Sequence, residues 1–312
     1  MNVTKVTAFA PGSVANVAIG FDILGFSVDA VGDRVTLTRS SRPGVTITAI
    51  RGVVEDLPLE AAKNTAGQAL LALIKERDLS FGFEMQIDKG IPLSSGLGGS
   101  AASAVAAVVA ANAMIEEPLT RIELLKVAME GEAVASGSRH ADNISPSLFG
   151  GLVLTVGIDN PRVKQIPVPE VIHAVIVHPH LQVSTKAARA ILSRTVNMSD
   201  FVWQTANLAG FISGCYTNDL DLIKASLEDV IIEKQRQVLI PGFIDVRAAA
   251  LDKGALGCSI SGAGPTVFAL CLERDTRAVR DAMVRAFAAH STETDKWIAP
   301  VQSGGAHVVS SE

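Results

Sequence analysis

Hydrophobic and polar positions along the chain follow two periods, one of two residues and one of about 3.6. The first pattern, or a run of β-branched residues, predicts strands, and the second predicts amphipathic helices. We expect strands at 3–8, 34–39, 45–50, 83–87, 152–156, 173–177, near 258 and at 267–272. We expect helices at 61–75, 101–114, 121–135, 185–192, 201–217, 219–230, 243–253 and 276–289. Because these elements do not alternate strictly as βαβ units, their order predicts an α+β fold.

A proline-rich stretch at 158–170 separates the two halves of the chain and is the predicted linker. It contains Pro161, Pro167 and Pro169, and proline interrupts both helices and central strands. A length of 312 residues suits two domains of medium size. We therefore predict an N-terminal domain at 1–160 and a C-terminal domain at 161–312.

The amino-acid composition limits the classes of protein to which this chain can belong. With 48% hydrophobic and 19% charged residues, the chain is typical of a globular protein. A net charge of −5 without a lysine–arginine run argues against a nucleic-acid partner. The three cysteines are odd in number and far apart, which suggests reduced thiols, and the apolar runs are too short to span a bilayer. We expect a soluble, cytoplasmic protein that does not bind a membrane.

The most informative segment is the glycine- and serine-rich stretch at 90–103, which joins a predicted strand to an alanine-rich helix. Glycine lets backbone N–H groups turn towards a ligand because it has no Cβ. The first turn of the following helix adds N–H groups without intrahelical partners and a partial positive charge. This combination indicates an anion site, and a polyphosphate suits it best. The segment lacks the Gly-Lys-Ser/Thr of a P-loop.

An ordinary strand-to-helix turn capped by serine is the alternative interpretation of this segment. It explains less, because Gly96, Gly98 and Gly99 each cost backbone entropy that a plain turn does not require. We therefore predict that this segment binds phosphate groups.

Two other glycine-containing segments are candidate parts of the same site. The stretch at 10–22 offers Asn16 and Asp22, which suit an ammonium or hydroxyl group, although such residues also satisfy local backbone groups. The stretch at 259–266 contains Gly262 and either lies behind the phosphate-binding segment or forms a plain hairpin turn.

Single charged residues complete the candidates. Glu132 with the Ser100 hydroxyl would suffice for Mg²⁺ on a nucleotide, which needs only one or two protein ligands, whereas a solvated helix-end carboxylate is the alternative. His140 either forms a catalytic pair with Asp142 or is a structural histidine. Arg189 and Arg236 could each grip a carboxylate in a bidentate manner or lie on the surface.

These segments, taken in order, resemble the GHMP kinase superfamily, which includes galactokinase, homoserine kinase, mevalonate kinase and phosphomevalonate kinase. The stretch at 92–103 is similar to its ATP-binding signature, and the stretch at 259–266 is similar to its C-terminal glycine motif. The resemblance extends from about residue 7 to residue 272. It implies a two-domain GHMP kinase fold, with a mixed α/β N-terminal domain and a ferredoxin-like C-terminal domain.

Within the superfamily the chain most resembles the homoserine kinases, through residues 15–22, 136–151 and 236–243. This resemblance implies phosphorylation of the L-homoserine hydroxyl by ATP, with Mg²⁺, in threonine biosynthesis. It implies substrate contacts from Asn16, Asp22, His140, Arg189, Arg236 and Gly262, catalytic roles for Glu132, Ser100 and Asn143, and metal ligation by Ser100 and Glu132. It implies ATP contacts from Asn64, Pro92, Leu93, Ser94, Ser95, Gly96, Leu97, Gly98, Gly99, Ser100, Ala101 and Ala102.

The chain departs from relatives at two places. Relatives such as mevalonate kinase have an aspartate base in the region where this chain has Asn143, and an amide cannot deprotonate a hydroxyl group. We therefore expect direct attack by the substrate hydroxyl, with its proton leaving late. In the first motif, Val14 replaces a hydroxyl residue and 17–19 replaces Leu-Gly-Pro, which changes the loop beside the substrate.

Two other functions stay open. A GHMP kinase for shikimate, a sugar or an isoprenoid precursor would share the phosphate-binding segment, and a neutral sugar would not need the arginine pair. A non-catalytic nucleotide sensor would not need both Ser100 and Glu132. The expected partners are a small-molecule substrate and a second copy of the chain in a homodimer.

Overall fold

Two β-sheets and the helices packed on them form the part of the chain described by a computed structural model, residues 3–136 and 140–312. The strands are β1 Lys5–Ala15, β2 Leu24–Ser40, β3 Val45–Gly52, β4 Gly82–Lys89, β5 Leu152–Val156, β6 Arg162–Ile166, β7 Ile172–Pro179, β8 Gly257–Ile260, β9 Val267–Leu272, β10 Thr294–Pro300 and β11 His307–Ser311. The helices are α1 Thr65–Glu76, α2 Gly99–Asn112, α3 Arg121–Ser136, α4 Ile144–Phe149, α5 Thr185–Ala190, α6 Met198–Thr217, α7 Leu220–Ser226, α8 Glu233–Arg236, α9 Phe243–Asp252 and α10 Thr276–Ala289.

The larger sheet has the strand order β11-β1-β2-β4-β3, and β5 pairs with both β2 and β6. Strands β3 and β4 run parallel, and the other pairs are antiparallel, so the sheet is mixed. In β1, Val6, Ala8 and Ala10 are fully buried and face the core, as a period of two predicts.

Helix α2 lies in the centre of this half of the molecule. Every residue from Ala101 to Ala111 is buried, and α2 contacts β1, β2, α1 and α3. Its small side chains let these elements approach closely, as does Gly131 in α3, where a Cβ would collide with the carbonyl oxygen of Thr65. This packing on all sides fixes the first turn of α2 and the loop before it.

The smaller sheet is fully antiparallel, with the order β10-β7-β9-β8. Helices follow β7, the hairpin β8–β9 comes next, and α10 leads to β10, which is the connectivity of a ferredoxin-like fold. The buried residues Phe243, Val246 and Phe287, from α9 and α10, belong to its core. The predicted α+β class, with a ferredoxin-like C-terminal half, is therefore confirmed.

Several predicted boundaries were wrong. The stretch at 158–170, predicted as a linker, contains β6, which pairs with β5. The helix expected at 219–230 ends at Ser226, because Asp229 instead accepts backbone hydrogen bonds from Ile231, Ile232 and Glu233. Strands β10 and β11 were missed. Of the helices in residues 3–136 and 140–312, none is both long and apolar enough to cross a bilayer.

Candidate active site

A cavity of about 690 Å³ is lined by segments from both halves of the chain. The loop between β4 and α2, which we call the phosphate loop (residues 90–98), forms one wall. Loops after β1 and β8, together with α3 and α5, supply the other walls. The cavity brings together most of the predicted site residues: Asn16, Asp22, Asn64, Pro92, Leu93, Ser94, Ser95, Gly96, Gly98, Gly99, Ser100, Ala101, Glu132, His140, Asn143, Arg189, Arg236 and Gly262.

The phosphate loop turns through left-handed backbone conformations. Gly96 has φ +81°, and Gly98, which precedes α2, has φ +65°. A Cβ on Gly98 would collide with the Ser13 hydroxyl and lie 2.7 Å from Oδ1 of Asn143, so only glycine fits there. The buried Leu97 and Ala102, both predicted to contact ATP, do not line the cavity. Their side chains pack into the core beneath the loop.

Contacts from both halves of the molecule hold the phosphate loop. The backbone N–H of Ser13 donates to the carbonyl of Leu97 at 3.0 Å. The hydroxyl of Ser261 donates to the carbonyl of Gly96 at 2.6 Å, and the N–H of Thr266 donates to that of Ser95 at 3.1 Å. The glycine segment at 259–266 is thus both the turn of the β8–β9 hairpin and a support behind the loop, which unites the two interpretations.

Glu132 and Ser100 lie together at the cavity wall, on α3 and on the first turn of α2. A hydrogen bond joins their side chains. Burial and the nearby carboxylate of Asp142 raise the pKa of Glu132 to about 7, and the bond with Ser100 opposes that shift. One carboxylate and one hydroxyl oxygen are hard donors of the kind that Mg²⁺ prefers, so these residues fit the ion.

The loop after β1 carries the polar groups of the first motif. Asn16, Val17 and Ala18 all have positive φ values, 72°, 46° and 61°, which non-glycine residues rarely adopt. Side-chain hydrogen bonds of Asn16 hold this conformation, since Nδ2 donates to the carbonyl of Gly262 at 3.1 Å and Oδ1 accepts from the N–H of Asp22 at 3.1 Å. Local strain of this kind is typical of a functional site.

The two predicted arginines converge on the same end of the cavity. Arg189 donates from Nη1 and Nη2 to the two carboxylate oxygens of Asp22, at 3.0 and 2.8 Å. Arg236 is buried and donates to the carbonyls of Ala188 and Gly262 at 3.2 and 2.8 Å. Both guanidinium groups lie over the ring of Phe21, 5.3 and 5.1 Å from its centroid. This end of the cavity therefore carries the charges that an amino acid would need.

Asp142 lies beside this group, and the sequence analysis considered it only as a catalytic partner of His140, not as a substrate contact. It is buried, and among the described residues its Oδ1 has no hydrogen-bond partner. Burial and the nearby Asp22 raise its pKa to about 7. Burial lowers the pKa of the neighbouring His140, against the opposing effect of Asp22. Residues 137–139, part of the sequence motif that ends here, lie outside the described residues.

Asn143 and Asn64 both make structural hydrogen bonds at the cavity wall. The amide oxygen of Asn143 accepts from the Ser13 hydroxyl at 2.8 Å, so its amide nitrogen is turned away from Ser13. Asn64 caps α1, because its Oδ1 accepts from the N–H groups of Ala66 and Gly67, while Nδ2 donates to the carbonyl of Pro58. Their predicted contacts with substrate and nucleoside stay predictions.

Known proteins match this chain over almost its full length. The chain matches the family model "GHMP kinases N terminal domain" over residues 64–151 and "GHMP kinases C terminal" over residues 211–290. The homoserine kinase of Xylella fastidiosa (strain M12) is 50% identical over 306 residues, covering 98% of this chain and 94% of that protein. The chain belongs to the homoserine kinase family. The homoserine kinase of Chlorobium phaeobacteroides (strain BS1) is 43% identical over 317 residues, with coverage of 97% and 99%.

Solved structures extend the match to the homoserine kinase fold. The crystal structure of homoserine kinase from Cytophaga hutchinsonii ATCC 33406 superposes with a TM-score of 0.94 at 45% identity, covering 98% of this chain and 97% of that one. L. major mevalonate kinase, at 16% identity and a TM-score of 0.69, shares the fold alone. This chain is therefore a small-molecule kinase with the fold of the homoserine kinase family.

The sequence analysis missed several residues that line the cavity. Ser184, Thr185 and Lys186, at the start of α5, line the cavity, and the preceding Val183 N–H lies 3.5 Å from the carbonyl of Ser94 in the phosphate loop. A Ser-Thr pair before a short helix was the available signal, since such residues are favoured at helix starts. A signal for a helix start does not indicate which distant loop lies beside that helix. The position of these three residues in the cavity therefore could not be predicted.

Proposed function

We propose that this chain transfers the γ-phosphoryl group of ATP to the side-chain hydroxyl of L-homoserine, giving ADP and O-phospho-L-homoserine. The observation that carries this proposal is one cavity that joins a glycine-rich phosphate loop to the charged group of Asp22, Arg189 and Arg236. The full-length identity of 50% with a homoserine kinase supports the choice of substrate.

The phosphate loop and the first turn of α2 would bind the triphosphate. Left-handed glycines at 96 and 98 leave the backbone open to a ligand, and the helix start favours negative charge. Lys186 in α5 lines the cavity and would add positive charge opposite the loop. The nucleoside would extend past Asn64 and Pro58, which line the same cavity.

Ser100 and Glu132 would hold Mg²⁺. Bound there, the ion would neutralise charge on the β- and γ-phosphates. The carboxylate form of Glu132 is the ligand, and its raised pKa means that binding a cation would displace a proton near neutral pH.

Asp22, Asp142 and the two arginines would bind the amino acid. The ammonium group needs carboxylate acceptors, and the buried Oδ1 of Asp142 beside Asp22 is suited to that role. The substrate carboxylate would pair with Arg189 and Arg236, whose guanidinium groups share the ring of Phe21. A neutral alcohol gains nothing from these charges, so the site favours a zwitterion.

The chemical step needs no strong base in this arrangement. Asn143 cannot accept the hydroxyl proton as an aspartate could, and its amide oxygen is already held by Ser13. Phosphoryl transfer has a loose transition state, so positioning and charge neutralisation supply most of the rate increase. The hydroxyl oxygen would attack the γ-phosphorus, ADP would leave, and the proton would pass late to a phosphate oxygen.

A coupled ADP-release assay over a panel of alcohols tests the proposal. We expect L-homoserine to be preferred over shikimate, galactose and mevalonate, with activity lost in EDTA and restored by Mg²⁺. Preference for a substrate that is not an amino acid would reject homoserine as acceptor. Tight ATP binding without any transfer would instead indicate a nucleotide sensor.

We further propose a cytoplasmic enzyme of threonine biosynthesis. ATP-dependent chemistry and the three buried, free cysteines, Cys215, Cys258 and Cys271, support a reducing compartment. A fluorescent fusion and rescue of a threonine auxotroph lacking homoserine kinase would test both points.

A homodimer is also proposed, because α6 presents an uncharged surface. Within this 20-residue helix the only charged side chain is Asp200, and Met198, Phe201 and Trp203 are more than half exposed. Light scattering after gel filtration would test it, with Trp203→Glu as the disruptive variant.

We also retain the division into domains at 1–160 and 161–312 as a proposal. Two strands of the second part belong to the larger sheet: β6, which directly follows β5, and β11 near the end of the sequence.

A further inference from the structure

A buried charged group lies directly beneath the phosphate loop. Asp33, in β2, is completely buried. Its Oδ1 accepts from the backbone N–H groups of Gly90 and Ile91, at 3.0 and 3.2 Å, where the chain leaves β4. Its Oδ2 accepts from the Ser103 hydroxyl at 2.6 Å and from the ammonium group of Lys89. Asp33 therefore holds the first residues of the loop.

Lys89 connects the same carboxylate to the other end of the loop. Its Nζ donates to the carbonyl of Gly99, the first residue of α2, at 2.8 Å, and to the Ser103 hydroxyl at 2.9 Å. With Asp33, these acceptors match the three N–H groups of a lysine ammonium. Although Lys89 lines the nucleotide cavity, its ammonium group donates to three protein acceptors.

We propose that Asp33 is a positioning residue for ATP binding: through Lys89 and Ser103 it fixes both ends of the phosphate loop, and Lys89 is not itself a phosphate ligand. The inference rests on the proposed placement of ATP at this loop. Glycine-rich backbone cannot hold its own shape, because it has few side chains to pack. The middle of the loop is held by Ser13, Ser261 and Thr266, and this ion pair holds the start and the end.

Steady-state kinetics with both substrates varied tests this inference. Asp33→Asn and Lys89→Met each break the same buried ion pair, so each should raise the KM for ATP about 10-fold, as loss of a supporting residue typically does. The double variant should be no worse than either single variant, because the two residues act as one unit. The KM for homoserine should stay within about two-fold of the wild-type value. A general loss of stability would not raise the KM for ATP while leaving the KM for homoserine unchanged.

A direct phosphate role for Lys89 gives the opposite pattern. Asp33→Asn would then free the ammonium group and leave ATP binding unchanged or tighter, while Lys89→Met alone would be severe. Either result overturns the inference. Gly98→Ala distinguishes rejection of this inference from rejection of the proposed function. An unchanged KM for ATP in Gly98→Ala would show that ATP does not bind at the phosphate loop.

Ser103→Ala keeps the test valid if the charge variants do not fold. It retains both charges and removes one hydroxyl from the group. Ser27→Ala is its matched control, because Ser27 is also a buried, hydrogen-bonded serine in the same half of the molecule; unlike Ser103, it does not line the cavity. A raised KM for ATP in Ser103→Ala alone supports the inference. Equal losses of Tm in both variants with unchanged KM for ATP would show a purely structural role and overturn it.

Discussion

Arg189 makes two parallel hydrogen bonds to the carboxylate of Asp22, although 167 residues separate them in the sequence. In the binding mode proposed above, both charges contact the amino acid, so the substrate would enter a site whose charges already pair with each other. Binding would then exchange one ion pair for contacts with both ends of a zwitterion. A ligand with only one charge would leave Asp22 or Arg189 without its partner, which is costly in a partly buried site.

Arg189 should therefore control affinity for the amino acid and not for ATP. We expect Arg189→Ala to raise the KM for homoserine about 100-fold, because a charge-assisted pair is lost and Asp22 is left unpaired. Arg189→Lys should raise it about 10-fold, since lysine cannot bind both oxygens of a carboxylate in a fork. Steady-state kinetics checks this, with the exposed Arg277→Ala as a control. An equal rise in the KM for ATP would contradict the assignment.

Glu132 and Asn143 should differ in their effect on turnover. Glu132→Ala removes the carboxylate proposed to hold Mg²⁺ and should lower kcat about 1,000-fold. Asn143→Ala removes only an orienting amide, held by Ser13, and should lower kcat about 10-fold. Single-turnover measurements at saturating substrates give the comparison. A larger loss in Asn143→Ala than in Glu132→Ala would contradict these assignments.

Binding of homoserine should release protons near pH 7. Burial and Asp22 raise the pKa of Asp142 to about 7 in the free protein, so part of the population carries that proton at neutral pH. A bound ammonium group favours the carboxylate and lowers this pKa, so protons leave on binding. Calorimetry without nucleotide, in buffers of different ionisation enthalpy, measures it. Buffer-independent heats in the wild type, or unchanged release in Asp142→Asn, would disprove this.

Gly98 should be intolerant of any side chain. Gly98→Ala places a Cβ against Ser13 and Asn143 at φ +65°, so we expect at least a 10-fold rise in the KM for ATP, about 1.4 kcal/mol. Gly44→Ala is the matched control, because Gly44 also has a positive φ, +114°, but nothing lies within 4 Å of its Cβ position. Normal kinetics in both variants would mean that this loop does not hold the nucleotide.

The free energy of unfolding should fall as the pH rises from about 5 to 7.5. Burial raises the pKa of Glu233 to about 7 despite Arg247, whose Nε lies 3.3 Å away. The folded protein therefore keeps a proton that the unfolded chain, with a pKa near 4.5, has lost, and this stabilisation disappears as pH passes the folded pKa. Glu233 alone accounts for up to about 3 kcal/mol.

Urea unfolding at several pH values measures this slope. Glu233→Gln, which keeps a neutral group of similar shape at the same position, should flatten it. A free energy of unfolding that rises with pH in the wild type, or an equally steep fall in Glu233→Gln, would contradict the assignment.

The sequence predicted features whose causes are local. Glycines and serines adjacent to one another mark the phosphate loop, and the alanine run marks the buried helix α2. Pairings between distant residues were not predictable in this way. Asp22 and Arg189 were each identified as substrate ligands, but nothing in the sequence indicated that they bind each other. The same holds for Asp33 and Lys89, 56 residues apart.

Strands without an apolar alternation were also beyond prediction. All five residues of β11 are exposed, so the strand has no buried face to produce a period of two. In β6 only Ile166 is buried, and the prolines around it suggested a linker. These strands exist because neighbouring edges offer backbone hydrogen bonds, which leave no pattern in the side chains.

The pairing of β11 with β1 sets an order of events during synthesis. Val6 lies opposite Ser311, so the sheet beside the first motif stays open at one edge until β11 has been synthesised and has left the ribosome. Until then β1 presents unpaired N–H and C=O groups, which invite association with other nascent chains. The strands of the smaller sheet precede β11 in the chain. That sheet can therefore form before β11 pairs with β1 and completes the larger sheet.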